Sequence, residues 1–352
     1  MAVPSEAGRP GPRIAFRLEA SGAIGGGHGM RCLSLARALA DRGAKSLFLV
    51  NEAAPATVPA LDSVAVRVVG PGPEETVAAI RAEWPDGADV VVCDLYRWTA
   101  PEEQAVAAAA RRVLVIDDLV AAPHRCDLLL NQNFGTDPAA YDPLLPAGCR
   151  RMIGLDYALL RPGFAALRPA ALERRQHPSP ARTLLVSLGL TDVGGITGRV
   201  CAALAAIPDF TRADIVLGPT APSIAQVRTI AAADPRLRCH VGLEDMAQAM
   251  LEADAAIGAM GSSSWERCCL GLPTLAFTLA DNQRPTARAL DSAGIVALAG
   301  DAAALGDAAI RDAVADFLGD PARLHRLSLA SAALCDGHGA ERVAAAMLDG
   351  LA

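Results

Sequence analysis

The stretch GAIGGGHGMRCLSLARALADRG, residues 22–43, decides how this chain folds. It follows RIAFRL (13–18), which has the composition of a buried strand, and it leads from three consecutive glycines into apolar residues at helical spacing. The spacing predicts a helix from about Met30 to Arg42 that ends before Gly43. A strand, a glycine-rich turn and a helix in this order are typical of the first unit of a parallel α/β sheet.

The same alternation of short apolar runs and amphipathic segments continues along the chain. It predicts strands over 46–50, 64–69, 90–96, 113–118 and 126–132, and helices over 74–84 and 101–112. Residues 162–182 contain four prolines and no strand pattern. The pattern then resumes with predicted strands over 183–189, 213–218, 238–242, 255–259 and 273–277, and with helices near 195–206, 222–233, 244–252 and 262–270. Beyond residue 277 we set no element bounds, apart from expecting a last helix near the C-terminus.

These two series of elements predict an α/β fold with two Rossmann-like domains whose parallel sheets face an interdomain cleft. We divide the chain into a flexible arm (1–12), an N-terminal domain carrying the histidine loop (13–165), a linker (166–182) and a C-terminal domain (183–352). The last helix is a candidate to return to the N-terminal domain. Because ligands bind beyond the carboxyl ends of parallel strands, both domains are expected to contribute loops to one shared site.

Composition argues against several classes of function. The 352 residues carry a net charge of −7 without a block of Lys or Arg, which argues against nucleic acid as a partner. No apolar stretch approaches the roughly 20 residues that cross a bilayer, and the polar N-terminus lacks the apolar core of a signal peptide. We therefore expect a cytoplasmic protein with no stable membrane association. The nine cysteines form no CxxC pair, so buried free thiols are expected and a metal site is not.

The glycine turn predicts an anion-binding site. Glycines such as Gly26 and Gly27 let a ligand approach the backbone, and the N–H groups at the start of the following helix attract phosphate. The turn is neither the GxGxxG motif of dinucleotide-binding proteins nor a Walker loop, which would continue with GK[ST]. His28 has two interpretations. Either it caps the loop, or its imidazole, with little to pack against between two glycines, faces the cleft and accepts a proton from water.

Polar side chains follow three successive strands of the N-terminal domain. Each alone is more often a loop cap than a functional group, but together they favour a sugar-binding rim. The residues concerned are Asp94 and Tyr96, Asp117 and Asp118, and Asn131, Gln132 and Asn133.

Three loops at strand ends of the C-terminal domain favour binding of a diphosphate. Small residues and hydroxyls at a helix N-terminus suit phosphate oxygens. Serines in this position are also ordinary N-caps, and a glutamate one turn into a helix is also a capping carboxylate. No pair of acidic residues is placed to hold magnesium. The candidates are Gly189, Thr191 and Asp192 in the first loop, Gly261, Ser262, Ser263, Ser264 and Glu266 in the second, and Asn282 and Gln283 in the third.

Five segments together resemble one known family. They are IGGGHGMRCLSLARAL (24–39), GLDYALLRPGF (154–164), GSSSWERCCLGLPTL (261–275), DNQ (281–283) and DGHGAERV (336–343). The combination is similar to the UDP-sugar hydrolases of pseudaminic acid biosynthesis (PseG type), which are similar in turn to the MurG-like glycosyltransferases of GT-B fold. The resemblance extends from about Arg13 to Val343.

The resemblance implies a GT-B protein that hydrolyses UDP-2,4-diacetamido-2,4,6-trideoxy-β-L-altropyranose. Water would attack the anomeric carbon with inversion and release UDP and the free sugar, without a metal or other cofactor. The implied partners are the UDP-sugar itself and, as candidates, other enzymes of the same sugar pathway. His28 falls on the catalytic base, Tyr96 on an aromatic residue beside the sugar, and Glu266 on the carboxylate that holds the ribose hydroxyls.

The resemblance also distributes the remaining parts of the substrate. It places the diphosphate at 189–192 and 261–263, the uracil at the backbone from Val241 to Met246, and the sugar at Asn282 and Gln283. The other substrate-binding candidates are Gly26, Gly27, Arg31 and Asp94.

Two positions depart from the family pattern. The family usually has paired glycines where this chain has Leu188-Gly189-Leu190, so Leu190 is expected to crowd the phosphates. The usual Arg-x-Asp before the glycine turn is here Arg17-Leu18-Glu19, which is one methylene longer. Both changes bear on which sugar is accepted more than on the type of reaction.

Two other functions remain as alternatives. In a GT-B glycosyltransferase, an acceptor hydroxyl would take the place of water. MurG-like enzymes meet lipid-linked acceptors through a basic, apolar surface, and no basic amphipathic helix is evident in this sequence. A nucleotide-sugar sensor would bind UDP without turnover, and the complete GGGH turn argues against it.

Overall fold

The structure is a computed structural model that describes residues 11–351. The flexible arm predicted for residues 1–12 lies outside the described residues, apart from Gly11 and Pro12.

The first half of the chain forms a seven-stranded parallel sheet in the order β3-β2-β1-β4-β5-β6-β7. Strand β1 is buried on both faces, as parallel strands between two helical layers are. Phe16 belongs to the core beneath one helical layer, and its neighbour Ala15 to the core beneath the other. The strands are β1 (Arg13–Leu18), β2 (Lys45–Val50), β3 (Val66–Val68), β4 (Ala88–Asp94), β5 (Ala110–Ile116), β6 (Leu128–Asn131) and β7 (Arg150–Ile153).

Helices cover both faces of this sheet. Helix α1 follows the glycine turn, and its apolar residues Leu35 and Leu39 are fully buried against the sheet. The helices of this half are α1 (Gly27–Ala40), α2 (Ala54–Thr57), α3 (Pro73–Glu83) and α4 (Ala100–Val106). Single-turn 3₁₀ helices lie at Pro59–Ser63, Ala107–Ala109, Pro138–Tyr141 and Leu155–Tyr157.

The second half forms a six-stranded parallel sheet in the order β10-β9-β8-β11-β12-β13. Its strands are β8 (Thr183–Ser187), β9 (Arg212–Leu217), β10 (Leu237–Val241), β11 (Ala255–Ala259), β12 (Thr274–Thr278) and β13 (Ala297–Asp301). Its helices are α6 (Ile196–Ala205), α7 (Ile224–Ala233), α8 (Met246–Glu252), α9 (Ser263–Cys269), α10 (Arg284–Ser292), α11 (Asp307–Leu318) and α12 (Pro321–Ala332). Single-turn 3₁₀ helices lie at Val193–Gly195 and Asp281–Gln283.

Two further helices connect the halves. Helix α5 (Pro162–Arg174) occupies much of the predicted linker and packs against α8 and α9. Helix α13 (Gly339–Leu348) packs against α1, and its Val343 and Met347 are fully buried in the core of the first half. A Cβ at Gly339 would lie 2.3 Å from the Ala158 carbonyl oxygen. Only glycine therefore lets the start of α13 approach the 3₁₀ turn at Leu155–Tyr157 this closely.

The predicted α/β fold with two parallel sheets is confirmed, and most element predictions agree with the structure to within a few residues. The helix predicted over 101–112 is wrong at its end. Alanine-rich 107–112 has high helix propensity, but Ala110 and Arg112 already pair with β4, so tertiary pairing overrides propensity. Strand β7, with sequence RRMI, was missed because it is short and polar. Helix α5 was missed because of its prolines: Pro162 starts the helix, and Pro169 lies on its exposed side.

The nine cysteines are free thiols, and seven of them are buried, as the sequence predicts. Among residues 11–351, no helix is long and apolar enough to cross a membrane.

The packing of α13 generates a stability prediction. Met347→Ala is expected to lower the free energy of unfolding by about 2–5 kcal/mol, because it leaves a cavity in the first core. The matched control is Leu329→Ala on α12, where the side chain is 58% exposed, with an expected change below about 0.5 kcal/mol. Urea unfolding measures both, and equal losses from the two variants would contradict the packing described for α13.

Candidate active site

The glycine turn joins β1 to α1 at the carboxyl edge of the first sheet. Its backbone is fixed by a bond from the Gly25 amide to the Ser21 carbonyl, 2.8 Å long, and Gly25 has the left-handed φ of +87° that favours glycine. Gly26 is the N-cap of α1, and His28 lies in the first turn of the helix. The turn therefore presents the free N–H groups of a 14-residue helix and an imidazole at one place.

His28 is buried, with 6% of its surface exposed. Its Nδ1 lies 2.6 Å from Oδ1 of Asp94, at the end of β4, and the Tyr96 ring packs edge-on at a centroid distance of 4.7 Å. The expectation that His28 has little to pack against is therefore wrong: its support comes from β4 and not from its glycine neighbours. His28 Nε2 bonds to no other residue between 11 and 351 and is not sealed from solvent.

Asp94 and Arg31 form the buried charge pair of the site. The Nε of Arg31 donates to Asp94 Oδ2 over 2.7 Å. Burial opposes ionisation of Asp94, but the charge of Arg31 and the hydrogen bonds from Arg31 and His28 hold its pKa well below the ordinary value. Likewise, burial disfavours the charged guanidinium, but Asp118 and Asp94 hold the pKa of Arg31 well above its ordinary value. Asp94 and Arg31 therefore form a charged pair at neutral pH.

Asp118 is a second junction of the site. It accepts from Arg31 Nη1 over 3.0 Å and from the Asn133 amide over 3.0 Å, and the Tyr96 hydroxyl lies 3.5 Å away. Burial raises the pKa of Tyr96, and the Asp118 carboxylate adds to the shift, so the ring keeps its phenolic proton. Asn282 of the second half donates to the same hydroxyl over 3.3 Å. Tyr96 thus connects Asp118 to the opposite side of the cleft.

The glycine turn itself faces the second half at two points. A Cβ built on Gly27 would lie 3.2 Å from the Ser262 hydroxyl oxygen, and one built on Gly26 would lie 2.6 Å from Cδ1 of Leu190. With Tyr96 and Asn282, three contacts therefore join the halves around His28. Predicted loops of both domains do meet at one place.

Other strand-end residues of the predicted rim point inward instead. Asn131 donates to the Tyr141 hydroxyl, and the Gln132 amide oxygen accepts from the Leu159 N–H over 2.9 Å. Asp117 accepts from the same Tyr141 hydroxyl over 2.6 Å and from two backbone N–H groups. These three side chains hold the loops. Asp94 is also buried, with both oxygens engaged by His28 and Arg31, so the rim reduces to Tyr96, Asp118 and Asn133.

The loop after β8 is fixed by Asp192. This residue is fully buried in the left-handed region, with φ of +45°, and its carboxylate accepts from the N–H groups of Thr197 and Ser223. The predicted contact of its side chain with a diphosphate does not fit this arrangement, because both oxygens are engaged within the second half. Gly189 is exposed and Thr191 is half-buried, so both remain candidates for contact with a ligand.

The loop after β11 fits the predicted diphosphate site better than the loop after β8 does. Gly261, Ser262 and Ser263 are half-buried, and nothing lies within 4 Å of a Cβ built on Gly261. The Ser263 hydroxyl accepts from the buried guanidinium of Arg267 over 3.1 Å. Glu266 pairs with Arg161, 3.2 Å away at the start of α5; burial raises the pKa of Glu266 and Arg161 opposes the shift.

The remaining candidates lie at the edges of the site. Met246 is the first residue of α8 and packs partly into the adjoining core. The Gln283 side-chain oxygen accepts from the Leu279 N–H over 2.8 Å, so this amide stabilises its own loop. Glu19 pairs with Arg97 and Arg17 beside the glycine turn.

A cavity of about 700 Å³ lies between α1 and the starts of α5 and α8. Met30 and Leu33 line it from the first half, and Arg161, Phe164 and Asp245 line it from the second. Because Arg161 also pairs with Glu266, the cavity adjoins the predicted nucleoside end of the site. Within the part of the chain that the structure describes, no cluster of His, Cys, Asp or Glu could hold a metal ion.

Comparison with known proteins places these features in a family context. No family model matches the chain. A UDP-2,4-diacetamido-2,4,6-trideoxy-β-L-altropyranose hydrolase of Campylobacter jejuni is 24% identical over 283 residues, which are 80% of this chain and 97% of that protein. The spore coat polysaccharide biosynthesis protein SpsG of Bacillus subtilis is 32% identical over 143 residues, 40% of this chain and 41% of that protein. The match thus spans less than half of SpsG.

The structure of MurG from Acinetobacter baumannii superposes with a TM-score of 0.66, at 16% identity, over 96% of this chain and 99% of that one. This chain has the GT-B fold. The predicted GT-B architecture is therefore confirmed, and so is the resemblance to PseG-type UDP-sugar hydrolases. The GT-B cleft is where the glycine turn, Tyr96 and the loops of the second half meet.

Sequence reasoning missed one residue of the site, Arg161, and gave another, Asp118, only a general role. Arg161 stands in the quoted motif GLDYALLRPGF, but its pairing with Glu266 across 105 positions has no local signal. Asp118 was included only in the general rim, and its contact with Arg31 depends on how β4 and β5 bring their ends together.

The Asp94 environment predicts a pH-dependent contribution to stability. Asp94→Asn is expected to lower the free energy of unfolding at pH 7 by about 3 kcal/mol, because the buried Arg31 loses one of its two counter-charges. Since the native pKa of Asp94 is depressed, its contribution is present above the ordinary Asp pKa of about 3.9 and is lost as pH falls toward the native pKa.

Urea unfolding of wild type and Asp94→Asn at pH 7 and near pH 3 measures this effect. The difference between the two proteins should shrink on acidification, whereas Asp312→Asn, at a 70% exposed carboxylate, should change little at either pH. A difference that is independent of pH would contradict the assignment of the charge pair.

Proposed function

We propose that this chain hydrolyses a UDP-linked 2,4-diacetamido-2,4,6-trideoxy sugar to UDP and free sugar, by inverting attack of water at the anomeric carbon with His28 as general base. The proposal includes a role in nonulosonic (pseudaminic) acid biosynthesis, in the cytoplasm and without a metal. The observation that carries it is the Asp94–His28 contact of 2.6 Å beside the glycine turn.

The Asp94–His28 contact indicates which ring nitrogen of His28 carries the proton. Asp94 is ionised and can only accept, so His28 Nδ1 must donate to it. The neutral ring then has its lone pair on Nε2, the atom that no residue engages. A carboxylate that fixes the tautomer and stabilises the imidazolium formed later is the arrangement that makes histidine an effective general base.

The leaving group would be held from both sides of the cleft. UDP departs readily when its charge meets backbone N–H groups and helix N-termini, so a second acid carboxyl is less necessary than in glycosidases. The start of α1 and the loop Gly261–Ser263 meet at the Gly27–Ser262 contact and supply such groups. Glu266, held by Arg161, would accept the ribose hydroxyls, and the adjoining cavity would take the uridine.

Tyr96 and Asn282 would face the sugar. Their contact crosses the cleft beside the imidazole, and the tyrosine remains a phenol that can donate to a sugar oxygen. The hydrolase of Campylobacter jejuni, similar over 80% of this chain, supports this substrate class.

The alternative is a glycosyltransferase, because GT-B folds serve transferases as well and fold alone does not decide function. The two reactions share the donor and differ in the nucleophile. Incubating the protein with the UDP-sugar alone separates them: steady release of UDP and free sugar without an acceptor is expected here. Proton NMR of the first product should show the anomer inverted relative to the donor. UDP release that requires an added acceptor alcohol would favour the transferase.

His28→Ala is expected to lower kcat by about 10²–10⁴-fold, because the base that removes the proton of water is lost. The Kd for UDP should stay nearly unchanged, since the diphosphate contacts come from backbone groups and the second half. Calorimetry with UDP and a coupled UDP-release assay measure the two quantities. His177→Ala, at an exposed histidine, is the control and should behave as wild type. Unchanged turnover of His28→Ala would refute the role of His28.

A further inference from the structure

The Leu190–Gly26 contact joins an apolar side chain of the second half to the residue two positions before His28. The other two contacts around the imidazole are polar, at Ser262 and at Asn282. The polar side chains in this cleft could instead bind oxygen atoms of a ligand. The apolar side chain of Leu190 cannot form hydrogen bonds to a ligand. The role of Leu190 therefore lies in how the two halves fit together.

The backbone of Leu190 is rigidly held by its own half. The Leu190 carbonyl oxygen would lie 2.0 Å from a Cβ built on Gly218, so the two backbone segments are in close contact. Two residues later, the buried Asp192 bonds to the N–H groups of Thr197 and Ser223. The Leu190 side chain thus projects from a fixed loop of the second half toward the first.

In the first half, Gly26 lies between Leu190 and the buried side chain of Val58. Its φ of −100° and ψ of 0° are open to any residue, so backbone conformation does not require glycine here. The requirement is for space: a Cβ would lie 2.6 Å from Leu190 Cδ1 and 3.2 Å from Val58 Cγ2. Gly26 and Leu190 are therefore matched to one another.

We propose that Leu190 is a positioning residue, whose contact with Gly26 sets the separation between the His28 turn and the diphosphate loop. It does not touch the reacting atoms and acts through the turn that carries the imidazole. The proposal rests on the proposed hydrolysis for its kinetic consequence, while the contact itself is independent of it. This role is proposed beside the expectation that Leu190 crowds the phosphates, which stays a prediction.

The contact can be tested by moving side-chain volume from residue 190 to residue 26. A Cβ at residue 26 would lie 3.7 Å from the Cβ of Leu190, an ordinary contact distance. Leu190→Ala alone should leave a gap, and Gly26→Ala alone should push the turn away. In the double variant Gly26→Ala/Leu190→Ala, the two methyl groups would restore the contact. Each single variant should lower kcat about fivefold or more, the Kd for UDP should change little in Leu190→Ala, and the double variant should recover most of the loss in kcat.

Hydrogen exchange provides a readout that does not depend on turnover. Amides of residues 26–33 should exchange faster in Leu190→Ala than in wild type, and should return toward the wild-type rate in the double variant. Gly148→Ala is the control, since it lies outside the site and nothing lies within 4 Å of a Cβ there, and it should leave both kcat and exchange unchanged.

The outcomes separate the two proposals. A wild-type protein that releases no UDP would refute the hydrolase, and the exchange rates would still decide the role of Leu190. An active wild type with a double variant no better than the worse single variant would refute the positioning role alone. Unchanged exchange in Leu190→Ala would refute it as well.

Discussion

The buried carboxylate of Asp94 is the interaction on which the site depends. One group at the end of β4 accepts from His28 Nδ1 and from the Arg31 guanidinium, both on the first two turns of α1. It joins the sheet to the helix and fixes the orientation of the imidazole. A buried charge of this kind is tolerated only when it is paired and hydrogen-bonded, and Arg31 and Asp118 complete the pairing. The rigid sheet edge therefore determines where Nε2 points.

The site is also constrained by the contact between the two halves, each of which has its own hydrophobic core. The Gly27–Ser262, Gly26–Leu190 and Tyr96–Asn282 contacts surround the imidazole, so the site is complete only when both halves contribute. Glycine at 26 and 27 permits this approach through the absence of a side chain. The same absence exposes the N–H groups at the start of α1, and one sequence feature thus serves both assembly and anion binding.

Much of the fold could be predicted from periodicity, because parallel strands buried on both faces read as continuous apolar runs. VVVCD and AAIGA show this, whereas the edge strand RRMI, which begins with one exposed and one half-buried arginine, does not. The glycine turn, His28 and the loop at Gly261 could be identified locally, since their chemistry lies in consecutive residues. Asp192 shows the limit: a strand-end aspartate three residues after Gly189 has the pattern of a ligand group, but its burial depends on Thr197 and Ser223. The Arg161–Glu266 pair similarly depends on the path of α5.

The central claim is that an unprotonated ring nitrogen, oriented by Asp94, faces the carbon that carries the nucleotide. The most direct measurement is a crystal structure of the protein with bound UDP. The account predicts that His28 Nε2 lies within reach of one bridging water from the site next to the outer phosphate, roughly 5–6 Å or two hydrogen-bond lengths. An outer phosphate bound far from the glycine turn, with the imidazole directed away from it, would contradict the account.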